Sequence, residues 1–461
     1  MLQFLKYVLA TLVGIFLFSV LTIMIFAGIG SALSSDERVI ISDKSVLKLD
    51  LNRTIQEIGV ENPFSDLGSP FGGESVTGLN DILQAIKYAK TDANNKGIYL
   101  QSDATLSGWA MLEEIRNQLI DFKKSGKFIV TYAEAYSEKG YYLASVADKI
   151  YLNPSGDLEW NGISAEYQFF KGTFDKLGVK PEVFRVGEFK SAVEMFSRTD
   201  MSEASKKQST ELLGAINNNF LKNVSTSRSI PQEQLKKLAD SLLIDNPIAA
   251  LKYKLVTHLS YWDEVEKNLK KELQVEAKKD VPFINITKYL KGVDTNETGD
   301  INKRIAILVA DGEITSGEGD NGSIGSTKFI KELRKARQDE KVKAIVLRIN
   351  SPGGSALASD VMWREIQLTS KEKPIIASMS DVAASGGYYM AMGCDTIVAQ
   401  PNTITGSIGI FGLIFNVTDF MNNKLGVTFD GVGTSPHSDW PTATRNMSDF
   451  EKSNHFTIEN L

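Results

Sequence analysis

Two stretches of this chain repeat one another at an offset of about 247 residues, and a chain that repeats over such a length folds as two copies of one unit. Residues 89–100, AKTDANNKGIYL, match residues 336–347, ARQDEKVKAIVL. Each passes from the end of an amphipathic helix through a charged turn into an apolar strand. In the same register residues 139–154, KGYYLASVADKIYLNP, match residues 386–401, GGYYMAMGCDTIVAQP. One residue out of step, Met201-Ser202-Glu203 finds its counterpart in Met447-Ser448-Asp449.

Within each copy, short apolar strands such as 97–100 and 344–349 alternate with helical patterns such as 112–123 and 357–369. That alternation predicts βαβ units, hence an α/β fold with a largely parallel sheet in each repeat. The expected boundaries are 1–35 for an N-terminal apolar helix, 45–283 for the first repeat with a helical tail over 203–271, 294–303 for a polar linker, and 304–461 for the second repeat, opening with a strand over 304–310. The second copy stops just after its MSD segment, without a helix-stop signal, whereas the first runs on through its tail. A truncated second repeat is therefore expected, through loss of the tail or because the sequence is a fragment.

The first residues depart from this pattern. Residues 7–32 carry no charge and are almost wholly apolar, with Lys6 before them and Asp36, Glu37 and Arg38 after. A bilayer needs about 20 apolar residues of helix, whereas the apolar part of a cleaved signal peptide spans about 7–15. The run is expected to be a retained membrane anchor, although Gly28, Gly30, Ser31 and Ala32 offer a cleavage site. Lys6 favours a cytoplasmic N-terminus, which places everything after Ser35 outside.

Composition narrows the chemistry. A net charge of −6 provides no basic field, so nucleic acid is not an expected partner. A single cysteine, Cys394, allows no intrachain disulfide, and His258, His437 and His455 are too scattered for a zinc hydrolase. No metal or cofactor is expected.

Differences between the copies point to chemistry in the second. After its strand comes Asn350-Ser351-Pro352-Gly353-Gly354-Ser355, where the first copy has Asp103-Ala104-Thr105-Leu106-Ser107-Gly108. Two glycines at the C-terminal end of a parallel strand can turn backbone N–H groups toward an anion, as an oxyanion hole requires. The plainer alternative is a turn that uses glycine for shape. Further on, Ala383-Ala384-Ser385-Gly386-Gly387-Tyr388 stands against Tyr136-Ser137-Glu138-Lys139-Gly140-Tyr141. Ser385 sits among small residues at the start of a helical segment, which leaves its hydroxyl open to a substrate carbonyl with the Gly386 N–H beside it. Such a serine needs a base. His437 lies in a polar stretch that reads as an exposed loop, while Lys190, in VGEFKSAVE of the first repeat, has apolar neighbours. Burial would lower the lysine pKa and allow it to serve a serine across the repeat interface, although an ordinary surface cation is the default for a lysine.

At these residues the chain resembles the signal peptide peptidase A family, also called protease IV, in its long tandem-repeat form. VFRVGEFKSAVEMFSRTDMS, LRINSPGGS, AASGGYYMA and PNTITGSIGIFG all look like that family's signatures, in this order and over nearly the whole chain. The resemblance implies a fold similar to the Clp protease and crotonase superfamily and a serine protease whose Ser/Lys dyad is split between the repeats. It implies Ser385 as nucleophile, Lys190 as general base, Ser407 as the hydroxyl that orients the lysine, and the Gly353-Gly354 turn with Gly386 as oxyanion donors. It further implies signal peptides or other apolar peptides as substrates, a bacterial cytoplasmic membrane location with the catalytic part outside, and a homotetramer. Two other readings stay open at this level: a crotonase-like acyl-CoA enzyme, which has no use for Ser385, and a non-catalytic membrane scaffold.

Overall fold

The computed structural model describes residues 2–33, 39–59, 76–293, 299–320 and 322–459. Half of the expected linker, 294–298, and the charges at 36–38 lie outside these residues. Helix α1, Leu2–Leu33, runs for 32 residues. Some of its side chains lie outside the described set, and among the described residues no helix is long and apolar enough to cross a membrane.

The first repeat contributes strands β1 (Ser45–Asp50), β2 (Asn95–Gln101), β3 (Phe128–Tyr136), β4 (Lys149–Leu158), β5 (Lys180–Arg185), β6 (His258–Leu259) and β7 (Phe283–Asn285). Six of them form one parallel sheet in the order β6-β4-β3-β2-β1-β7. Crossover helices α2 (Leu79–Thr91) and α3 (Trp109–Lys123) cover one face, burying Ile82, Ile86, Leu112, Ile115 and Leu119. The other face is closed by the helix Trp262–Leu273, whose Val265, Leu269 and Leu273 seat on Val46, Tyr99 and Tyr151. Apolar residues along strands such as VLKLD and KIYL are therefore buried on both faces, as parallel sheets require. The expected helical tail is several helices, chief among them Glu203–Arg228, broken by turns and the short strand β6.

The second repeat follows the same plan with strands β8 (Arg304–Asp311), β9 (Glu313–Thr315), β10 (Ser323–Gly325), β11 (Val342–Ser351), β12 (Ile375–Ala384), β13 (Thr396–Val398), β14 (Ile404–Gly406) and β15 (Phe411–Asn416). Its parallel sheet runs β13-β12-β11-β8, with β14 added along the end of β12. One face packs on the helices Ser326–Gln338 and Ala356–Ser370 around Leu333, Leu347, Met362 and Ile366. Ile305 and Ile307 on β8 are 66% and 68% exposed.

The repeats are not side by side and independent. β5 leaves its own sheet and pairs antiparallel with β15 of the second repeat, from Arg185 opposite Phe411 to Lys180 opposite Asn416. Phe174 and Phe196 of the first repeat close on Phe415 behind this ribbon.

Candidate active site

Ser385 follows β12 and precedes the helix Gly386–Ala391, with φ 51° and ψ −116°. A side chain other than glycine is uncommon at such a φ, and a non-glycine residue stays there only when its surroundings over-determine it. Here they do. Ser385 N donates to Gly406 O at 2.9 Å and Ser385 O accepts from Tyr389 N at 2.8 Å, so the chain is held on both sides of the bend.

The β5–β15 ribbon brings Lys190 to this serine. Val186 N continues the ladder to Ile410 O at 3.0 Å, Gly187 turns at φ 100°, and Lys190 follows at the same end of the ribbon as Ser407. Its Nζ lies 3.3 Å from Ser385 Oγ, 3.1 Å from Ser407 Oγ and 2.7 Å from Ser407 O. Ser407, like Ser385, has a positive φ, 49°. The loop after Lys190 is fixed by Glu194, which pairs with Arg185 at 3.1 Å and accepts from Ser202 N and Oγ.

Lys190 is 5% exposed, and its three hydrogen-bond partners are neutral oxygens. Burial disfavours the ammonium form and lowers its pKa from the ordinary lysine value. A neutral amine has two N–H groups and one lone pair. With both N–H groups spent on Ser407, the lone pair is left for the Ser385 hydroxyl. The 3.3 Å separation is long for a hydrogen bond, as catalytic contacts often are before substrate binds.

Facing Ser385 is the Gly353-Gly354 turn, with φ of 98° and 153°. Ile314 N donates to Gly353 O and Ser355 N donates to Ile314 O, a parallel bridge that leaves the Gly354 N–H pointing away from Ile314. A Cβ on Gly354 would lie 2.1 Å from Ile314 O, so no side chain is accommodated there. Gly386 opens its helix, and its N–H is one of the donors a helix start leaves without an intrahelical partner. The Gly353 N–H, by contrast, already donates to Ser351 Oγ at 3.1 Å. Of the three glycines expected to supply an oxyanion hole, Gly354 and Gly386 have amides left for an anion.

In the first repeat Glu138 occupies the position of Ser385, buried and accepting from Asn161 N and Gly162 N at 3.1 and 2.9 Å. His437 is exposed and hydrogen-bonds Glu451 at 3.0 Å, so its ring is committed away from the serine. Residue reading passed over Arg348, which reaches Glu57 and Glu114 of the first repeat at 2.9 and 2.8 Å. An arginine inside the apolar run VLRIN was the available signal; its partners were not visible.

A family model described as peptidase family S49 matches residues 121–276 and 367–457. A protein named Protease 4 from Salmonella typhi is 37% identical over 438 residues, 92% of this chain and 70% of its own length. Serine protease SPPA, chloroplastic, from Arabidopsis thaliana is 38% identical over 78% of this chain and 54% of its own length. Protease 4 of Haemophilus influenzae is 38% identical over 77% of this chain and 59% of its own length. The chain thus spans between about half and 70% of the length of these three relatives. Among solved structures, a membrane-bound stomatin-specific protease is covered to 99% by 55% of this chain, at 11% identity and a TM-score of 0.28.

Proposed function

Because the chain belongs to peptidase family S49 and is a serine protease, we propose that it works through a Ser/Lys dyad shared between its repeats and cleaves apolar peptides at a membrane surface. The observation that carries this reading is the buried Lys190 amine 3.3 Å from Ser385 Oγ. Lys190 takes the Ser385 proton as Oγ attacks the scissile carbonyl. The Gly354 and Gly386 amides receive the oxyanion, where preorganised donors contribute most. The ammonium formed on Lys190 then protonates the leaving amine. Water, activated by the same lysine, releases the acyl group and restores the serine. In this reading the units are 45–283, which supplies the lysine, and 304–461, which supplies the serine, joined through 294–303. An acyl-CoA enzyme would leave both the strained Ser385 and its lysine without use.

The membrane part rests on the uncharged run 7–32, long enough to span a bilayer, with the catalytic part outside the cytoplasm. An apolar peptide substrate, such as a signal peptide left in the bilayer after secretion, suits an enzyme held there. A homotetramer is the assembly the resemblance implies, to be checked by light scattering in detergent. The test of function is hydrolysis of a fluorogenic apolar peptide ester by the detergent-solubilised chain beside Ser385→Ala and Lys190→Ala. Turnover by the parent that disappears in both variants supports the dyad; turnover retained in either rules it out.

A further inference from the structure

Helix α3 of the first repeat starts behind Gly108, which has no side chain to cap it. Its counterpart in the second repeat, Ala356–Ser370, is capped by its own Ser355, whose Oγ accepts from Ala358 N at 3.2 Å. The first N–H groups of any helix need acceptors from elsewhere. For α3 they come from the other repeat: Asp381 Oδ2 accepts from Gly108 N at 3.1 Å and Asp381 Oδ1 from Met111 N at 2.9 Å. A Cβ on Gly108 would lie 2.2 Å from Asp381 Cγ, so the carboxylate occupies the space that a side chain at 108 would need.

The first turns of α3 grip the second repeat at two more points. Glu113 Oε2 accepts from Asn402 Nδ2 at 2.8 Å, and Glu114 Oε1 accepts from an Arg348 guanidinium nitrogen at 2.8 Å. Each gripped residue stands a few positions before a part of the site. Arg348 precedes the Ser351–Gly354 turn on β11, Asp381 precedes Ser385 on β12, and Asn402 precedes Ser407 beyond β14. Of the three, only Asp381 stands on the strand that leads directly into Ser385, four positions before it.

We propose that Asp381 is a positioning residue for Ser385: by seating on the N-terminus of α3 it holds the end of β12 so that the Ser385 hydroxyl stays within reach of Lys190. The inference rests on the dyad reading above. A carboxylate receiving two N–H bonds at a helix N-terminus is held by charge-assisted hydrogen bonds and by the helix dipole. It fixes the strand close to a serine whose backbone needs external constraint. Asp381 touches no reacting atom, so its loss acts on turnover and leaves substrate binding alone.

The test uses the full chain in detergent, with kcat expressed per site titrated to completion by a fluorophosphonate. The Ser385→Ala and Lys190→Ala variants are measured first; inactivity of both secures the dyad reading, and activity in either removes that reading and this one together. With the dyad secured, Asp381→Ala is expected to lower kcat per titrated site by roughly 100-fold, the scale of a misplacement of about 1 Å, with KM within about twofold of the parent. Asp381→Asn, which keeps one acceptor oxygen, should recover about tenfold of that loss. Gly108→Ala displaces the carboxylate from the opposite side and should reproduce the Asp381→Ala loss. The double variant should then be no worse than either single one, the non-additivity of residues acting through one contact. Parent-level kcat per titrated site in Asp381→Asn and Gly108→Ala, whatever their melting temperatures, overturns the proposal without touching the dyad. These two variants carry the test if Asp381→Ala does not fold.

Discussion

The amine of Lys190 lies 3.3 Å from the hydroxyl of Ser385 although 195 residues separate them, and the antiparallel pairing of β5 with β15 is what closes that distance. Neither repeat holds both groups. Under the proposed dyad both units must fold before the site exists, and changes at the repeat interface are expected to act on chemistry as well as on stability.

Removing either member of the dyad should lower kcat by at least about 10⁴-fold, because only the oxyanion donors and substrate binding remain. Ser385→Ala and Lys190→Ala assayed on the peptide ester check this. Fluorophosphonate labelling should be lost in the first and much slowed in the second.

The pH dependence has a definite sign. Burial lowers the Lys190 pKa, so the amine proposed as base is lost as pH falls through that lowered value. Turnover should rise with pH across a window below the ordinary lysine pKa of about 10.4. For folding, the unfolded chain binds the extra proton between the lowered and the ordinary value, so the stability contribution of Lys190 improves as pH rises across that window. Lys190→Met should therefore melt higher than the parent at neutral pH and show a weaker dependence on pH, read by thermal scans at several pH values.

Ser407 gives Lys190 two oxygens, one from the side chain and one from the backbone. Ser407→Ala removes the side-chain oxygen alone. A loss of about tenfold in kcat is expected, the worth of one hydrogen bond that orients the amine. KM should not move.

Gly354→Ala should cost both fold and function, since the added Cβ meets Ile314 O at 2.1 Å and the turn must shift. A lowered melting temperature together with a kcat reduced by roughly 10²-fold or more, the scale of a lost oxyanion donor, is the expected pair. Steady-state kinetics beside a thermal scan measure both.

Arg348 is half-buried against two carboxylates, Glu57 and Glu114, that belong to the other repeat. Arg348→Met leaves both acids without their cation. The expected cost is about 3 kcal/mol, the lower end of what breaking a buried pair costs, because Arg348 is only partly withdrawn from water. The midpoint of urea unfolding would register it.

Much of the architecture was legible from residue order. The repeat offset and the alternation of strands such as 344–349 with helices such as 357–369 carried the α/β plan, because the 2.0 and 3.6 periodicities are local properties of the chain. Ser385 and the Gly353-Gly354 turn stood out because small residues after parallel strands are local as well. The conformational details at those places were not legible: that Gly353 spends its N–H on Ser351 Oγ, or that Ser385 bends at φ 51°, depends on atoms brought in from elsewhere.

The sequence by itself determined two repeats, which of them carries the serine, and which lysine has apolar neighbours, since each of these is written in residues adjacent along the chain. Only the tertiary structure decided that one strand of each repeat pairs into a shared ribbon, that Asp381 caps a helix of the other unit, and that Arg348 finds Glu57 and Glu114. Those contacts join residues between about 230 and 290 positions apart, and no local pattern encodes them. They follow from the pressure on every buried charge and every helix N-terminus to find a partner once the chain has closed on itself.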